Sequence, residues 1–363
     1  MSKIFKIFFV VLSVIIFIVV VVATAIFVYI PSGKAKSQEK QPSVSEPAAI
    51  TPAQDSITWG IDFSEFQAKY LGLDWKAAYL AMINDLGVKN IKIHTNWKMV
   101  EPQKDNYSFD DTDWQVQEAQ QNNIKLIYVL GMKTGRWPEC HIADWALGLS
   151  EKDQQDELLK YITTVINRYK DSKAITYWQV ENEPLFKFGE CPNWYYDNDD
   201  FLKQEVSLVK SLDPSRQIII SDSGEQSNWF GAAQIGDIVG TTMYRASWPK
   251  GTDTFNSDSY AFLNPTYYTK KVQTIQKTFG KNVICIELQA EPWLPIMDTS
   301  LAEQFKLMNS DMFNEDVSFA KQTGLSTFYF WGAEWWYWLK TTQNQPQIWN
   351  EAKQLFQTGL SSN

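Results

Sequence analysis

The sequence predicts an α/β fold: a closed (β/α)8 barrel of parallel strands with helices outside, preceded by an apolar segment and a linker. Three observations predict it. Short apolar runs rich in Ile, Val, Tyr and Trp recur eight times beyond residue 56, amphipathic stretches separate them, and no second linker interrupts the region. Barrels of alternating strands and helices commonly reach about 250 residues or more as one domain, so residues 57–363 are read as a single barrel domain.

In chain order, residues 7–30 are apolar except for Ser13 and Thr24. At about 1.5 Å per residue such a helix crosses a hydrocarbon core of roughly 30 Å, so a transmembrane anchor in the lipid bilayer is expected. A cleaved signal peptide, leaving a secreted protein, is the alternative. Ala23-Thr24-Ala25 resembles a cleavage site, but Ile26 to Ile30 continue the apolar run too far for a signal. Lys3 and Lys6 favour residues 1–6 as a cytoplasmic tip, with the barrel outside the cytoplasm at the cell membrane. Residues 31–56, mostly Pro, Ser, Gln, Lys and Glu, bury too little surface to offset chain entropy and are expected to be a disordered, flexible linker.

Strands are expected over 58–63, 90–94, 125–130, 175–180, 217–221, 237–244, 283–287 and 326–331. Helices are expected near 75–86, 111–123, 151–170, 199–212, 266–279, 299–323 and 346–358, with a weaker one after Gln226. Several boundaries carry physical signals: Ser150 followed by Asp153 starts a helix, Asp213-Pro214 ends one, and Gly280-Lys281-Asn282 stops another before the seventh strand. In such a barrel, chemistry belongs at the C-terminal ends of the strands.

Composition excludes several partners. A net charge of −9 and the five lysines against three acids in residues 1–56 leave the barrel more acidic than the whole chain, so nucleic acid is not an expected partner. Two histidines and three cysteines, none at zinc-motif spacing, point to no metal. No cofactor is implied, and a monomer is expected.

The fourth strand runs directly into Glu181-Asn182-Glu183-Pro184, and the seventh ends in Glu287 followed by Leu288-Gln289-Ala290-Glu291. Glu183 and Glu287 therefore face each other across the barrel mouth. Two carboxyl groups about 5–5.5 Å apart suit a retaining glycosidase, one as acid/base and one as nucleophile. Glu291 lies in the loop beyond the strand and is read as loop-fixing. Glu181, two residues before Glu183, is read as a deeper structural acceptor.

With these residues in place, residues 57–345 resemble a clan A glycoside hydrolase of the TIM-barrel, cellulase and mannanase type, family 5 and its relatives. Asn182-Glu183-Pro184 resembles the clan signature after strand four, which implies that Glu183 is the acid/base and that Asn182 meets a sugar 2-hydroxyl. Glu287 in Ile286-Glu287-Leu288 matches the nucleophile position. Tyr244 stands where the clan places a Tyr bonded to that nucleophile, and Trp331-Gly332 where a Trp floors the reacting-sugar subsite. Lys92 in Ile91-Lys92-Ile93 replaces the clan's usual Arg, supplying its charge without the planar fork. His94 and Arg245 are candidates to share that task. Trp97 to Pro102, followed by Tyr107 to Asp110, also resembles the clan pattern.

His94 is read as either a satisfied polar group of the mouth or a substrate contact. Trp97, Trp137, Trp293 and Trp331 lie near strand ends as candidate sugar contacts, since flat aromatic faces cover the C–H faces of sugar rings. Trp335, Trp336 and Trp338 are expected to form a further glycan platform. Cys140 and Cys191, in the loops after strands three and four, are a candidate disulfide, whereas Cys285 is expected to be a buried thiol. The expected activity is cleavage of β-glycosidic bonds in an oligo- or polysaccharide by double displacement. The alternatives are a non-catalytic surface glycan-binding protein on the same barrel and a transglycosylase.

Overall fold

A computed structural model describes residues 57–246, 260 and 262–358. Its strands are β1 (Thr58–Phe63), β2 (Asn90–His94), β3 (Lys125–Leu130), β4 (Ile175–Val180), β5 (Gln217–Asp222), β6 (Ile238–Met243), β7 (Asn282–Gln289) and β8 (Thr327–Trp331). They pair in parallel in chain order, and β8 returns to β1 to close the barrel. Every expected strand is present, with edges shifted by two residues or fewer.

Strands of a closed parallel barrel are buried on both faces, which is why they read as apolar runs. Inward side chains form a small core of Ile127, Ile219, Ile238, Ile286 and Tyr329, with Tyr177 and Ile284 against it. Outward ones, among them Ile91, Ile93, Tyr128, Trp178 and Phe330, join the large core beneath the helices.

In β7 this alternation breaks. Thr241 of β6 pairs with Cys285 and Thr242 with Glu287, so Ile286 is skipped in the ladder. Ile286 fills the barrel interior while Leu288 packs into the outer core, and Glu287 between them reaches Lys92 inside the mouth. The bulge re-phases the strand and lets two consecutive residues face inward, one as core and one as chemistry.

The helices follow their caps. The Ser150 hydroxyl accepts from the Asp153 backbone N–H to start Glu151–Tyr169, and Asn264, with Pro265 behind it, starts Pro265–Phe279, which Gly280 ends at φ 64°. The helix expected over 75–86 is α-helical through Trp75–Ala81 and closes as a π turn over Met82–Leu86. The one expected over 299–323 divides into Leu301–Phe305 and Ser310–Lys321, because Ser300 and Asn309 each cap a new start. Helices Glu65–Tyr70, Trp97–Val100 and Ala333–Thr341 were not anticipated.

Two expectations about tryptophans are corrected here. Trp335, Trp336 and Trp338 lie on Ala333–Thr341 and are buried, with the indole N–H groups of Trp335 and Trp336 donating to Gln304 Oε1 (2.8 Å) and the Ala290 carbonyl (2.7 Å). They fasten the top of the barrel and form no glycan platform. Trp97 is likewise core: it is fully buried, stacked on Tyr161 at 5.9 Å, edge-on to Trp145 at 5.8 Å, and bonded to Glu101. The expected anchor at 7–30 and linker at 31–56 lie outside the described residues; among the described residues no helix is long and apolar enough to cross a membrane.

Candidate active site

The end of β4 is built to project one carboxyl group. Glu181 and Glu183 both take left-handed backbone conformations, at φ 61° and 46°, which cost roughly 1–3 kcal/mol each and persist only where neighbours hold them. The Glu181 carboxylate accepts from the Met132 and Lys133 backbone N–H groups at 2.8 and 2.6 Å, as its reading as a deep acceptor anticipated. Gly131 makes that possible, since a Cβ there would lie 2.0 Å from Glu181 Oε1. Lys133 Nζ donates to the Asn182 carbonyl at 2.8 Å, and the Glu183 N–H donates to Ser221 Oγ at 2.7 Å.

Glu183 thus points into the mouth, where its Oε1 lies 3.2 Å from the Thr242 hydroxyl oxygen. Burial pushes its pKa up to about 8 against the pull of Lys133, and the charges of Glu287, Glu139 and Glu225 add to the rise. This carboxyl group holds its proton at neutral pH. Asn182, beside it, accepts from Gln179 at 3.2 Å and places its amide 3.5 Å from Glu139.

Glu287 meets the opposite environment. Its Oε1 accepts from Lys92 Nζ at 2.7 Å and its Oε2 from the Tyr244 hydroxyl at 2.7 Å. Lys92 also reaches Asp62 Oδ2 at 3.0 Å, and neither Lys92 nor Asp62 touches solvent. Burial opposes the Lys92 charge, but Asp62 and Glu287 outweigh it and hold the ammonium form. Burial would also raise Asp62, yet His94 and Lys92 keep its carboxyl well below the usual range.

His94 is committed elsewhere than the substrate. Its Nε2 lies on the Asp62 carboxylate and its Nδ1 on the Thr134 carbonyl, with the side chain 2% exposed, so both ring nitrogens are occupied by the protein. The satisfied-polar reading is the one the geometry supports, and Lys92 likewise holds carboxylates rather than sugar. Arg245 does not share the task of Lys92: its guanidinium stacks 4.4 Å over Phe319.

The remaining aromatics form a wall. Trp331 meets Tyr244 edge-on at 5.6 Å, Tyr244 meets Trp293 at 5.2 Å, Trp293 meets Phe188 at 5.5 Å, and Phe188 meets Trp137 at 5.9 Å. Trp137, at the outer end, is 54% exposed. The wall rests on the loops after β3 and β4, which Cys140 and Cys191 join as a disulfide with Cα atoms 5.2 Å apart. Cys285 is a buried thiol, as expected.

Sequence reading missed several supporting residues. Arg136 lies 4.3 Å under the Trp331 ring and pairs with Glu291 and, at 2.9 Å, with Glu334, which gives Glu291 its loop-fixing role. Asp62 carried a legible signal, a charge inside the apolar first strand that demands a buried partner. Arg136 and Glu334 carried none, because their pairing joins the loop after β3 to the helix Ala333–Thr341, far away in the chain.

The sequence model described as glycosyl hydrolase family 10 matches residues 71–356. A stretch of 119 residues is 33% identical to the probable mannan endo-1,4-β-mannosidase A-1 of Aspergillus terreus, covering 31% of this chain and 30% of that protein. Another of 150 residues is 27% identical to the mannan endo-1,4-β-mannosidase A of Hypocrea jecorina, covering 39% of this chain and 30% of that protein. The chain therefore matches less than a third of the length of these curated relatives. Among solved structures, xylanase 10B from Thermotoga maritima aligns with a TM-score of 0.55 at 14% identity, over 85% of this chain and 98% of that one. At that identity it shows the fold alone. The expected family 5 is thus corrected to family 10, while the clan stands: the Asn182-Glu183-Pro184 resemblance was to a clan signature, which does not fix a family within it. The chain belongs to glycosyl hydrolase family 10.

Proposed function

We propose that this chain is a retaining, endo-acting glycosidase that hydrolyses a β-1,4-linked polysaccharide, with Glu183 as acid/base and Glu287 as nucleophile. One observation carries the assignment: two glutamates at one barrel mouth meet opposite surroundings, Glu183 raised to about 8 by burial and Glu287 accepting from Lys92 and Tyr244 on its two oxygens. Glu183 gives its proton to the leaving glycosidic oxygen while Glu287 attacks the anomeric carbon. Water, deprotonated by Glu183, then releases the sugar from Glu287.

The aromatic wall from Trp331 to Trp137 supports an extended cleft and so endo action. The sequence likeness to proteins named as mannan endo-1,4-β-mannosidases favours β-1,4-mannan over xylan as substrate. Membership of a hydrolase family favours the enzyme over the non-catalytic glycan-binding alternative. We further propose that residues 7–30 anchor the chain with its barrel outside the cytoplasm; the Cys140–Cys191 disulfide supports an oxidising compartment.

The test is release of reducing ends from mannan, xylan and mixed β-glucan by the full chain, beside Glu183→Gln and Glu287→Gln. Release from mannan, abolished by both changes, is the expected result. Release from xylan in its place would overturn the substrate assignment, and release that survives either change would overturn the pair.

A further inference from the structure

Glu225, in the loop after β5, takes no part in the chemistry above, yet both reacting glutamates are tied to it. Its Oε1 accepts from the Tyr244 backbone N–H at 2.7 Å and the Tyr268 hydroxyl at 2.9 Å. Its Oε2 accepts from the hydroxyls of Thr242 and Ser223, each at 3.3 Å. The four donors and Lys271 favour the carboxylate, while burial works against it and raises the group above its ordinary range.

One arm leads to the nucleophile. The tyrosine whose N–H is fixed on Glu225 is the one whose hydroxyl meets Glu287 at 2.7 Å. The other arm leads to the acid/base. Thr242 Oγ1 accepts from the Gly224 N–H at 2.9 Å, and its single proton has two carboxyl oxygens within reach, Glu225 Oε2 at 3.3 Å and Glu183 Oε1 at 3.2 Å. Gly224 allows this approach, since a Cβ there would come within 1.9 Å of the Thr242 carbonyl oxygen. While Glu183 is protonated, the hydroxyl donates to Glu225. When Glu183 has given up its proton, rotation about one bond turns the same hydroxyl onto the new carboxylate.

We propose that Glu225 and Thr242 are positioning residues that link the two catalytic glutamates, Thr242 supplying a hydrogen bond to Glu183 when it is ionised and Glu225 holding that hydroxyl otherwise. The proposal rests on the reading of Glu183 as acid/base. The charged groups facing Glu183 are Lys133, Glu139, Glu287 and Glu225; those facing Glu225 are Lys271 and, through its hydroxyl, Tyr268, with the Tyr244 backbone N–H beside them.

The two positions predict opposite effects on the alkaline limb of kcat/KM, which reports loss of the Glu183 proton. Thr242→Val removes a donor to the ionised form and moves the limb to higher pH. Glu225→Gln removes a neighbouring negative charge and moves it to lower pH, each by about 0.5–1 pH unit. Thr242→Ser, which keeps the hydroxyl, restores the parent limb. Limbs that stay in place while kcat falls, or that move together in one direction, would overturn the proposal. If Glu225→Gln does not fold, as judged by its melting transition, Thr242→Val against Thr242→Ser decides alone. Glu183→Gln separates the two readings: an alkaline limb that persists in that variant refutes Glu183 as the acid, whatever Thr242 and Glu225 do.

Discussion

Lys92 Nζ lies 2.7 Å from Glu287 Oε1 in a contact with no exposure on the lysine side, so one compact cation does the work of the fork the clan resemblance leads one to expect. A buried ion pair survives only when its partners are all present. Lys92→Met keeps the aliphatic stem and removes the charge, leaving Glu287 and Asp62 facing each other. Loss of one partner of such a buried pair costs about 3–5 kcal/mol, and kcat/KM should fall by about 100-fold or more. Urea denaturation and steady-state kinetics on an aryl glycoside check the two numbers separately.

The pH dependence follows from Glu183. Its pKa is raised to about 8, first by burial, so the acid form needed for leaving-group protonation prevails below that pH and is lost as pH rises through it. The linked stability has the same sign: it is present in full below the ordinary carboxylate range and declines toward pH 8. A pH profile of kcat/KM should show an alkaline limb near pH 8. A limb near pH 4 to 5, the ordinary range for a glutamate of about 4.3, would contradict it.

Glu181 and Glu205 form a second pair of buried carboxyl groups. Burial raises Glu205, on the helix Asp200–Leu212, well above the ordinary range, the nearby Glu181 charge raises it further, and the two share a side-chain hydrogen bond. Protonated Glu205 donating to Glu181 stabilises the fold at low pH, and that contribution is lost as pH rises. Glu205→Gln keeps a donor and cannot ionise. Melting curves should therefore show the variant gaining on the parent as pH is raised from 6 toward 10; curves that run parallel would reject the shared proton.

The disulfide holds the outer wall. Cys140 and Cys191 lie 51 residues apart in sequence and join the loops that carry Trp137 and Phe188. Cys140→Ser with Cys191→Ser should cost about 2–4 kcal/mol. It should also raise KM for a long oligosaccharide more than for a small aryl glycoside, because only the long chain reaches Trp137. An equal change for both substrates would place the wall outside the substrate path.

Much of this molecule is legible in its sequence, for a physical reason. Strands of a closed barrel are buried on both faces, so 90–94 and 125–130 read as apolar runs, and residues such as Ser150 and Gly280 mark helix ends through local hydrogen bonds. Glu183 and Glu287 stand out in the sequence because Glu287 ends one such run and Glu183 lies just past the end of another. What escaped is non-local. The bulge at Ile286 appears only when β6 and β7 are paired, Trp336 looked surface-bound until its N–H met Ala290, and Glu225 has no local sign of the Tyr244 N–H it accepts. His94 and Trp97 were placed in the right region, but strand position does not say which polar partner or core a side chain finds.

The central claim is the division of roles between Glu183 and Glu287, and azide rescue tests it most directly. With an aryl β-glycoside of good leaving group, Glu183→Ala should still form the glycosyl-enzyme on Glu287 but release it slowly for want of a base. Added azide should then restore turnover and yield the β-glycosyl azide, whereas Glu287→Ala should yield the α-anomer. The reverse pattern, with the β-product from Glu287→Ala and the α-product from Glu183→Ala, would contradict the assignment.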